Sequence, residues 1–298
     1  MTNIQKGYMY NLLSVLMVAI GPLFSKFGLL YISPAKAAIL NVITVITASY
    51  LFGYFSKRKV QFYVEKEIIL LALFNSLGVI FLFLSTDLLS PVEIGFIGRF
   101  YTVFAVVLSV VFLHEKLTKR EIIFIVIAVL GAFLFVKKDG LELSDIGGTL
   151  CAILYTFFFA LTNIFIKKTM STEKSSNSIL FTNNCITLLF VCLYSLVSGD
   201  IFDGEYSLKG IGFITLSSLL AGFLGTILLY EAIKYLRFSI ANVMRAFSPL
   251  LLACISFPFF PIKITLQNTL GACLLLISIF LLTLGDKKNE EKKARKSS

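Results

Sequence analysis

Two arginines, Arg99 and Arg245, lie inside long apolar runs of the chain, where charged side chains are rare. An arginine in the hydrocarbon core of a bilayer costs about 2.5–3.5 kcal/mol on insertion scales, so such a residue usually faces a cavity or a charged partner. The planar guanidinium group can bind a carboxylate or a phosphate through two parallel hydrogen bonds. The two arginines therefore predict a site for an anionic group. An internal ion pair without a ligand is the alternative that the sequence leaves open.

Polar residues lie one helical turn from each arginine, which predicts a polar face on two helices. Thr102 follows Arg99 at i+3, and Asn242 precedes Arg245 at i−3. A tyrosine and a lysine of the apolar runs are further candidates for the same site. The predicted substrate-binding residues are Arg99, Arg245, Tyr101, Asn242, Thr102 and Lys26.

Three acidic residues, Glu93, Glu231 and Asp87, lie in or near the same apolar runs. Each of them could form an ion pair with a basic residue or carry a coupling proton. Glu93 is six residues before Arg99, which is about 240° around a helix, so these two side chains do not pair within one helix. We favour ion pairing over proton coupling for this group, and Lys234 is the expected partner of Glu231.

Gly21, Pro22 and Pro249 are candidates for hinges in the predicted helices. A proline inside a helix removes a backbone hydrogen bond and kinks the helix. Such a kink can serve as a hinge or can simply shape the packing of neighbouring helices, and the sequence does not distinguish the two.

The sequence lacks the residue patterns that an enzyme or a metal site needs. There is one histidine, His114, and the five cysteines form no CxxC pair, so neither a histidine-rich metal site nor a disulfide framework is predicted. There is no HExxH motif, Asp-rich metal motif, Ser/His pair or Walker loop. We therefore expect no catalytic residues, no metal and no cofactor, and the protein is predicted not to be an enzyme.

The composition is that of a protein embedded in lipid. The chain has 298 residues, of which 57% are hydrophobic and 15% are charged, whereas soluble domains are about 45–50% apolar and about 25% charged. Its mean hydropathy is +0.89. A transmembrane helix needs about 20 mostly apolar residues, so ten such helices use nearly the whole chain. Lysines beside the apolar runs explain the net charge of +10, and nucleic-acid binding is not predicted.

Ten apolar runs are predicted to be transmembrane helices. Lipid leaves only helices and closed barrels able to satisfy their backbone groups, and barrel strands alternate in polarity. The predicted fold class is therefore an all-α integral membrane protein. The runs cover residues 8–31, 34–55, 67–86, 91–113, 121–136, 147–166, 178–198, 211–233, 239–260 and 266–284.

Basic residues are unevenly divided between the two sides of the membrane that ten helices create. Nineteen Lys and Arg residues fall on the side that holds both termini, and six fall on the other side. Cytoplasmic loops are enriched in Lys and Arg. Both termini are therefore predicted to be cytoplasmic, in a multi-pass protein of the cell membrane.

The two halves of the chain share a faint internal repeat. The sequences that follow Arg99 and Arg245 both place an aromatic residue two positions after the arginine and a hydroxyl residue directly after that. Five helices per half is an odd number, so the second half enters the membrane from the opposite side. We predict a five-plus-five inverted repeat, with repeats 1–138 and 139–285 and a basic tail 286–298. Inverted repeats build many secondary transporters, whose substrate site lies near the midplane between the halves.

Several local patterns add to these features: Lys26, Ser33, Pro34, Pro249 and the LHEKLT segment at 113–118. With them the sequence resembles the EamA branch of the drug/metabolite transporter superfamily over nearly its whole length. Asn41 stands where many members of that branch have arginine. The resemblance implies transport of small metabolites, often export, through a central cavity lined by spans one, three, four, six, eight and nine.

Together these features predict a secondary transporter that moves a small polar, anionic or zwitterionic metabolite across the membrane by alternating access. An amino-acid or drug exporter without anion selectivity is the alternative within this class. A membrane-embedded enzyme and a channel are alternatives from other classes; the sequence has no TVGYG-type filter. The expected partners are a small-molecule substrate and the lipid bilayer, with protons as the candidate coupling ion. The protein is expected to be a monomer or a homodimer.

Overall fold

The structure is a computed structural model, and the part of the chain that it describes is helical with short connections. Each of the ten predicted apolar runs contains a helix within that part. The described residues are 2–88, 97–98, 100–135, 146–170, 174–198, 207–245, 247–248, 251, 255, 265–267, 269–274, 276–278 and 280–281.

The first nine helices are numbered in chain order, and a further apolar helix covers Thr269–Ser278. The numbered helices are α1 (Asn3–Leu29), α2 (Pro34–Phe55), α3 (Lys66–Leu88), α4 (Phe100–Leu113), α5 (Lys119–Phe135), α6 (Ile146–Thr169), α7 (Ser176–Ser198), α8 (Leu208–Tyr235) and α9 (Phe238–Arg245).

Five of the described helices are long and apolar enough to cross a membrane: α1, α2, α6, α7 and α8. They are apolar around most of their circumference, which is typical of helices surrounded by lipid and other helices. Their ends carry the expected signals. Thr2 Oγ1 accepts a hydrogen bond from the Gln5 N–H at 3.3 Å, and the Thr2 N–H donates to Gln5 Oε1 at 2.9 Å, which is a capping box. Pro34 opens α2 at its first helical position, where a missing N–H costs nothing.

The helix α8 changes its hydrogen-bonding pattern in the middle. Leu208–Ser217 and Thr226–Tyr235 are α-helical, and Ser218–Gly225 between them is a π-helix. Each π-helical N–H bonds five residues back, and such segments are frequent at functional sites.

The helix α1 packs closely against this π segment. The Ser14 hydroxyl donates to the Gly225 carbonyl at 2.5 Å, and the Ser217 hydroxyl donates to the Gly21 carbonyl at 2.8 Å. A Cβ added at Gly21 would lie 2.4 Å from Ala221 Cβ, so only glycine fits at this contact. The helix α3 meets α6 in a comparable way, because a Cβ at Gly78 would lie 2.6 Å from the ring of Phe159.

The helices pair in a pattern that joins the first half of the chain to the second. The helix α1 lies along α8, α3 lies along α6, and α2 lies against α7. The helix α9 packs against α4 and α1. No described pair of consecutive helices has contacts as extensive as those of α3 with α6. The core of the described bundle is therefore built mainly between the halves rather than within them.

The end of the bundle that carries the α8–α9 connection, here called the junction end, is tightly packed. Apolar side chains from four helices and from the α8–α9 connection are almost fully buried there: Ile68, Leu71, Ile179, Leu180, Ile166, Leu229, Tyr230, Ile233 and Leu236. Burial of a single large apolar side chain is worth about 1.5–3 kcal/mol when it leaves water. These residues close the space between the helices at this end.

Polar contacts also fasten the α8–α9 connection itself. Glu115 Oε1 accepts a hydrogen bond from the Phe238 N–H at 2.6 Å, and Arg237 Nη1 lies 2.5 Å from Glu121 Oε1. Lys167 Nζ donates to the carbonyls of Ile233 and Leu236, the second at 3.0 Å. A carboxylate thus caps the start of α9, and an ammonium group caps the end of α8.

Candidate functional site

A cavity of about 650 Å³ lies between the helices, and eight of the nine numbered helices, or the residues next to them, contribute to its wall. It reaches Leu29, the last residue of α1, at the end of the bundle opposite the junction end. Ala37 and Asn41 bring α2 to the wall, and Asn183 brings α7. The resemblance implied spans one, three, four, six, eight and nine only, so α2 and α7 are additions to the predicted lining.

Arg245, the last residue of α9, lines this cavity. It is the only charged side chain among the described lining residues. Its guanidinium group lies close enough to the hydroxyl groups of Tyr101 and Tyr230 to interact with them electrostatically. The positive charge therefore lies among neutral polar groups, and an anionic ligand in the cavity would find it there.

The Tyr101 hydroxyl is held by two asparagines from the second half of the chain. It donates to Asn242 Oδ1 at 2.5 Å and accepts from Asn163 Nδ2 at 2.9 Å. The two amides are fixed in turn, since Asn242 Nδ2 donates to the Phe238 carbonyl and Asn163 Nδ2 donates to the Phe159 carbonyl. This chain of hydrogen bonds orients the hydroxyl beside Arg245.

Neutral carboxamides form another part of the lining, here called the amide wall: Asn41, Asn75, Asn183 and Asn184. They belong to α2, α3 and α7. Asn75 Nδ2 donates to Thr187 Oγ1 at 2.9 Å, and Asn184 Nδ2 donates to the Leu180 carbonyl at 2.9 Å. Sequence reasoning did not single these residues out as a group. They could have been found because several apolar runs contain one or two asparagines. An asparagine at membrane depth is expected to face the interior of the helix bundle rather than lipid.

The structure brings four of the predicted binding residues together. Arg245, Tyr101 and Thr102 line the cavity, and Asn242 supports Tyr101 from α9. Thr102 is 7% exposed. Arg99, together with Glu93 and Pro249, lies outside the described residues, and so do the side chains of Lys26, Asp87 and Pro22.

Glu231 lies outside the described cavity lining, in a polar cluster at the junction end. Its Oε1 accepts a hydrogen bond from the Ser176 hydroxyl at 2.5 Å and lies 3.0 Å from Lys234 Nζ. The ion pair with Lys234 is the partnership that the sequence favoured.

Gly21, a predicted hinge residue, lies within the helix α1, which runs from Asn3 to Leu29. Its observed contact is with Ala221 of the π segment. Close packing is therefore the property of Gly21 that the geometry displays.

Nothing in the described part of the chain forms a metal site, since no group of three or more His, Cys, Asp or Glu residues comes together there. The cavity instead offers hydrogen-bonding groups, one positive charge and aromatic faces such as Tyr155 and Phe159. This equipment suits non-covalent binding of a small polar molecule.

Known proteins resemble the chain in sequence and in fold. The model of the EamA-like transporter family matches residues 5–137 and, a second time, residues 146–284. A protein of Acidianus ambivalens described as "Uncharacterized transporter in sor 3′region" is 26% identical over 184 residues, which are 62% of this chain and 70% of that protein. A crystal structure of another protein superposes with a TM-score of 0.77 at 12% identity, covering 94% of this chain and 98% of that one. The last likeness concerns the fold alone.

The family matches account for the long apolar helices of the chain. The predicted resemblance is confirmed, and the chain belongs to the EamA-like transporter family of multi-pass membrane transporters.

Proposed function

We propose that the protein is a secondary transporter that moves a small anionic or zwitterionic metabolite across the cell membrane by alternating access. The observation that carries this proposal is Arg245, a guanidinium group in a cavity whose other described lining residues are uncharged. An arginine at membrane depth is costly unless it has a partner. A carboxylate or phosphate of the substrate is the partner that matches its geometry.

We further propose that ten spans form two oppositely oriented repeats, 1–138 and 139–285, with the substrate site between them. The packing of the helices supports this arrangement. In such a repeat α1 corresponds to α6, α2 to α7 and α3 to α8. The contact of α1 with α8 then has a counterpart in the contact of α6 with α3, and α2 packs against its own counterpart, α7. The two separate family matches also support it.

Alternating access is supported by a difference between the two ends of the bundle, of which only one is closed by packed residues. The cavity reaches Leu29 at one end, whereas buried apolar residues and the contacts of Glu115 and Arg237 close the junction end. The excess of Lys and Arg in the loops of the junction end supports a cytoplasmic position for this end and for both termini. The described conformation then corresponds to a transporter closed toward the cytoplasm.

The experiment uses the purified full chain in proteoliposomes. A panel of labelled carboxylates, phosphates and amino acids is tested for saturable uptake and for counterflow against the unlabelled compound. Counterflow supports a carrier, ohmic conductance without counterflow supports a channel, and chemical conversion without flux supports an enzyme.

The role of the positive charge is tested by Arg245→Gln, with Arg58→Gln as the control, since Arg58 is exposed in the loop after α2. Arg245→Gln is expected to lower the affinity for anionic substrates at least tenfold, because a charged hydrogen bond contributes about 1.5–3 kcal/mol. Unchanged affinity for every transported anion, with intact folding, would contradict the proposed anion selectivity and would favour an exporter without it.

A further inference from the structure

We propose that the amide wall of Asn41, Asn75, Asn183 and Asn184 is a second binding subsite, which takes a neutral hydroxyl or carboxamide group of the substrate. The inference rests on the proposed function and makes its substrate class narrower. The transported molecule is then an anion with an uncharged polar group at some distance from its negative charge.

The strongest evidence comes from Asn183. This residue lines the cavity and is 4% exposed. Its Oδ1 is buried and has no hydrogen-bond partner among the described residues. Buried polar groups are nearly always paired, and an exception needs an explanation. The oxygen lies beneath the cavity surface, and a rotation of the carboxamide that brings it to that surface would let a ligand supply the missing partner.

The other members of the amide wall place more hydrogen-bonding groups in the same part of the cavity. Asn41 lies opposite Gly222 of the π segment, where an added Cβ would come within 3.7 Å of Asn41 Nδ2. Thr187 holds the amide of Asn75, and the Leu180 carbonyl holds that of Asn184. Two of the amides are thus oriented by the protein before a ligand enters.

The chemistry of this subsite favours an uncharged group. A carboxamide both donates and accepts hydrogen bonds, as do a hydroxyl group and another carboxamide. An ammonium group only donates, and it is stabilised in a site of low dielectric by a carboxylate. The described lining of the cavity contains no carboxylate.

The two subsites lie on different walls. The amide wall belongs to α2, α3 and α7, which pack against one another, whereas Arg245 ends α9, which packs against α4 and α1. A ligand that uses both walls must carry its anionic and neutral groups at separate ends. Matched compounds that differ only at the end remote from the carboxylate can therefore test the proposal.

The probes are butyrate, 4-hydroxybutyrate, succinamate and 4-aminobutyrate. The corresponding six-carbon series covers a longer distance between the carboxylate and the group at the other end. Binding to the full-length protein in detergent is measured by calorimetry. The wild type is expected to bind the hydroxyl and carboxamide compounds about five- to tenfold more tightly than the methyl and ammonium compounds of the same length.

Asn183→Leu is expected to abolish this preference. Asn183→Asp, of nearly the same shape, is expected to shift the preference to the ammonium compound. Asn177→Leu is the matched control, because Asn177 is also a buried asparagine of α7 whose Oδ1 has no described partner, and it lies outside the described cavity lining. It is expected to keep the preference of the wild type.

Equal affinity of the wild type for all compounds of one length would overturn the inference, and so would an equal change for all of them in Asn183→Leu. Failure of the proposed function has a different signature: Arg245→Gln would leave the affinity for every carboxylate unchanged. Absence of binding by all eight compounds would overturn both proposals.

Discussion

The hydroxyl group of Tyr101 donates to Asn242 Oδ1 at 2.5 Å, and this hydrogen bond joins the two segments of the chain that match the family separately. Tyr101 belongs to α4 and Asn242 to α9. Asn163 of α6 donates to the same hydroxyl at 2.9 Å. Three helices therefore meet at one oxygen atom, directly beside the guanidinium group of Arg245.

Replacement of Tyr101 by phenylalanine removes this oxygen and keeps the ring. We expect a loss of about 0.5–1.5 kcal/mol of stability for each hydrogen bond removed, and a weaker affinity for anions because Arg245 loses a neighbour that orients it. Thermal unfolding and ligand binding of the full chain measure the two effects. Tyr50→Phe, at a residue 59% exposed, is the control, and an unchanged anion affinity in Tyr101→Phe would contradict the prediction.

Replacement of Gly21 by alanine should destabilise the contact between α1 and α8. The new Cβ would lie 2.4 Å from Ala221 Cβ, and neither atom can move without its backbone. We expect a loss of about 1–3 kcal/mol, which is typical of an overpacked contact, and a lower midpoint of thermal unfolding in detergent.

The double variant Gly21→Ala with Ala221→Gly is the decisive comparison, because it moves the methyl group from one helix to the other. It should recover most of the stability, since the next atoms are then at least 3.5 Å from the new Cβ. Gly212→Ala is the control, because a Cβ at that position would have no atom within 4 Å apart from its chain neighbours and the backbone of its own helix. A double variant no more stable than Gly21→Ala alone would refute the packing argument.

Replacement of Glu115 by alanine removes the acceptor that caps α9 at the Phe238 N–H. Loss of a cap typically costs about 0.5–2 kcal/mol, and α9 carries Arg245, so both stability and anion affinity should fall. Glu115→Gln keeps an oxygen acceptor and is expected to lie between the wild type and the alanine variant. Glu67→Ala, an exposed residue in the first turn of α3, should leave anion affinity unchanged.

Replacement of Glu231 by glutamine tests whether this residue only forms an ion pair or also carries a coupling proton. Glu231 pairs with Lys234 and accepts from Ser176 outside the described cavity lining. We expect uptake to keep its full dependence on an imposed pH gradient, with a loss of stability of about 0–1 kcal/mol for a partly exposed ion pair. Uptake that no longer responds to the gradient would instead assign Glu231 to coupling.

The apolar runs were sufficient to predict helices, because lipid permits few other backbone structures and a run of sufficient length marks each helix. The start of α2 at Pro34 and the end of α4 at Leu113 follow the predicted boundaries. Arg245 could be placed in a cavity from its cost in lipid alone. These predictions depend only on the hydropathy and charge of neighbouring residues, which can be read from a single sequence.

The amide wall and the role of Gly21 could not be predicted in the same way. Asn41, Asn75 and Asn183 are far apart in the sequence, and their meeting depends on which helices pack together. Hydropathy does not contain that information. The pairing of α1 with α8 likewise decides that Gly21 faces Ala221, and the sequence alone offered only a proline-associated hinge.

The π segment of α8 changes the relative directions in which residues before and after it point. Ile214, before the segment, and Tyr230, after it, both line the cavity. Sixteen residues separate them, and at about 100° per residue an uninterrupted α-helix would point them about 160° apart. A π turn contains more residues, so each residue rotates less and the two faces come into line. Deletion of one residue between Ser218 and Gly225 would therefore turn Tyr230 away from the cavity, so the length of this segment, as much as its residue types, is expected to be under selection.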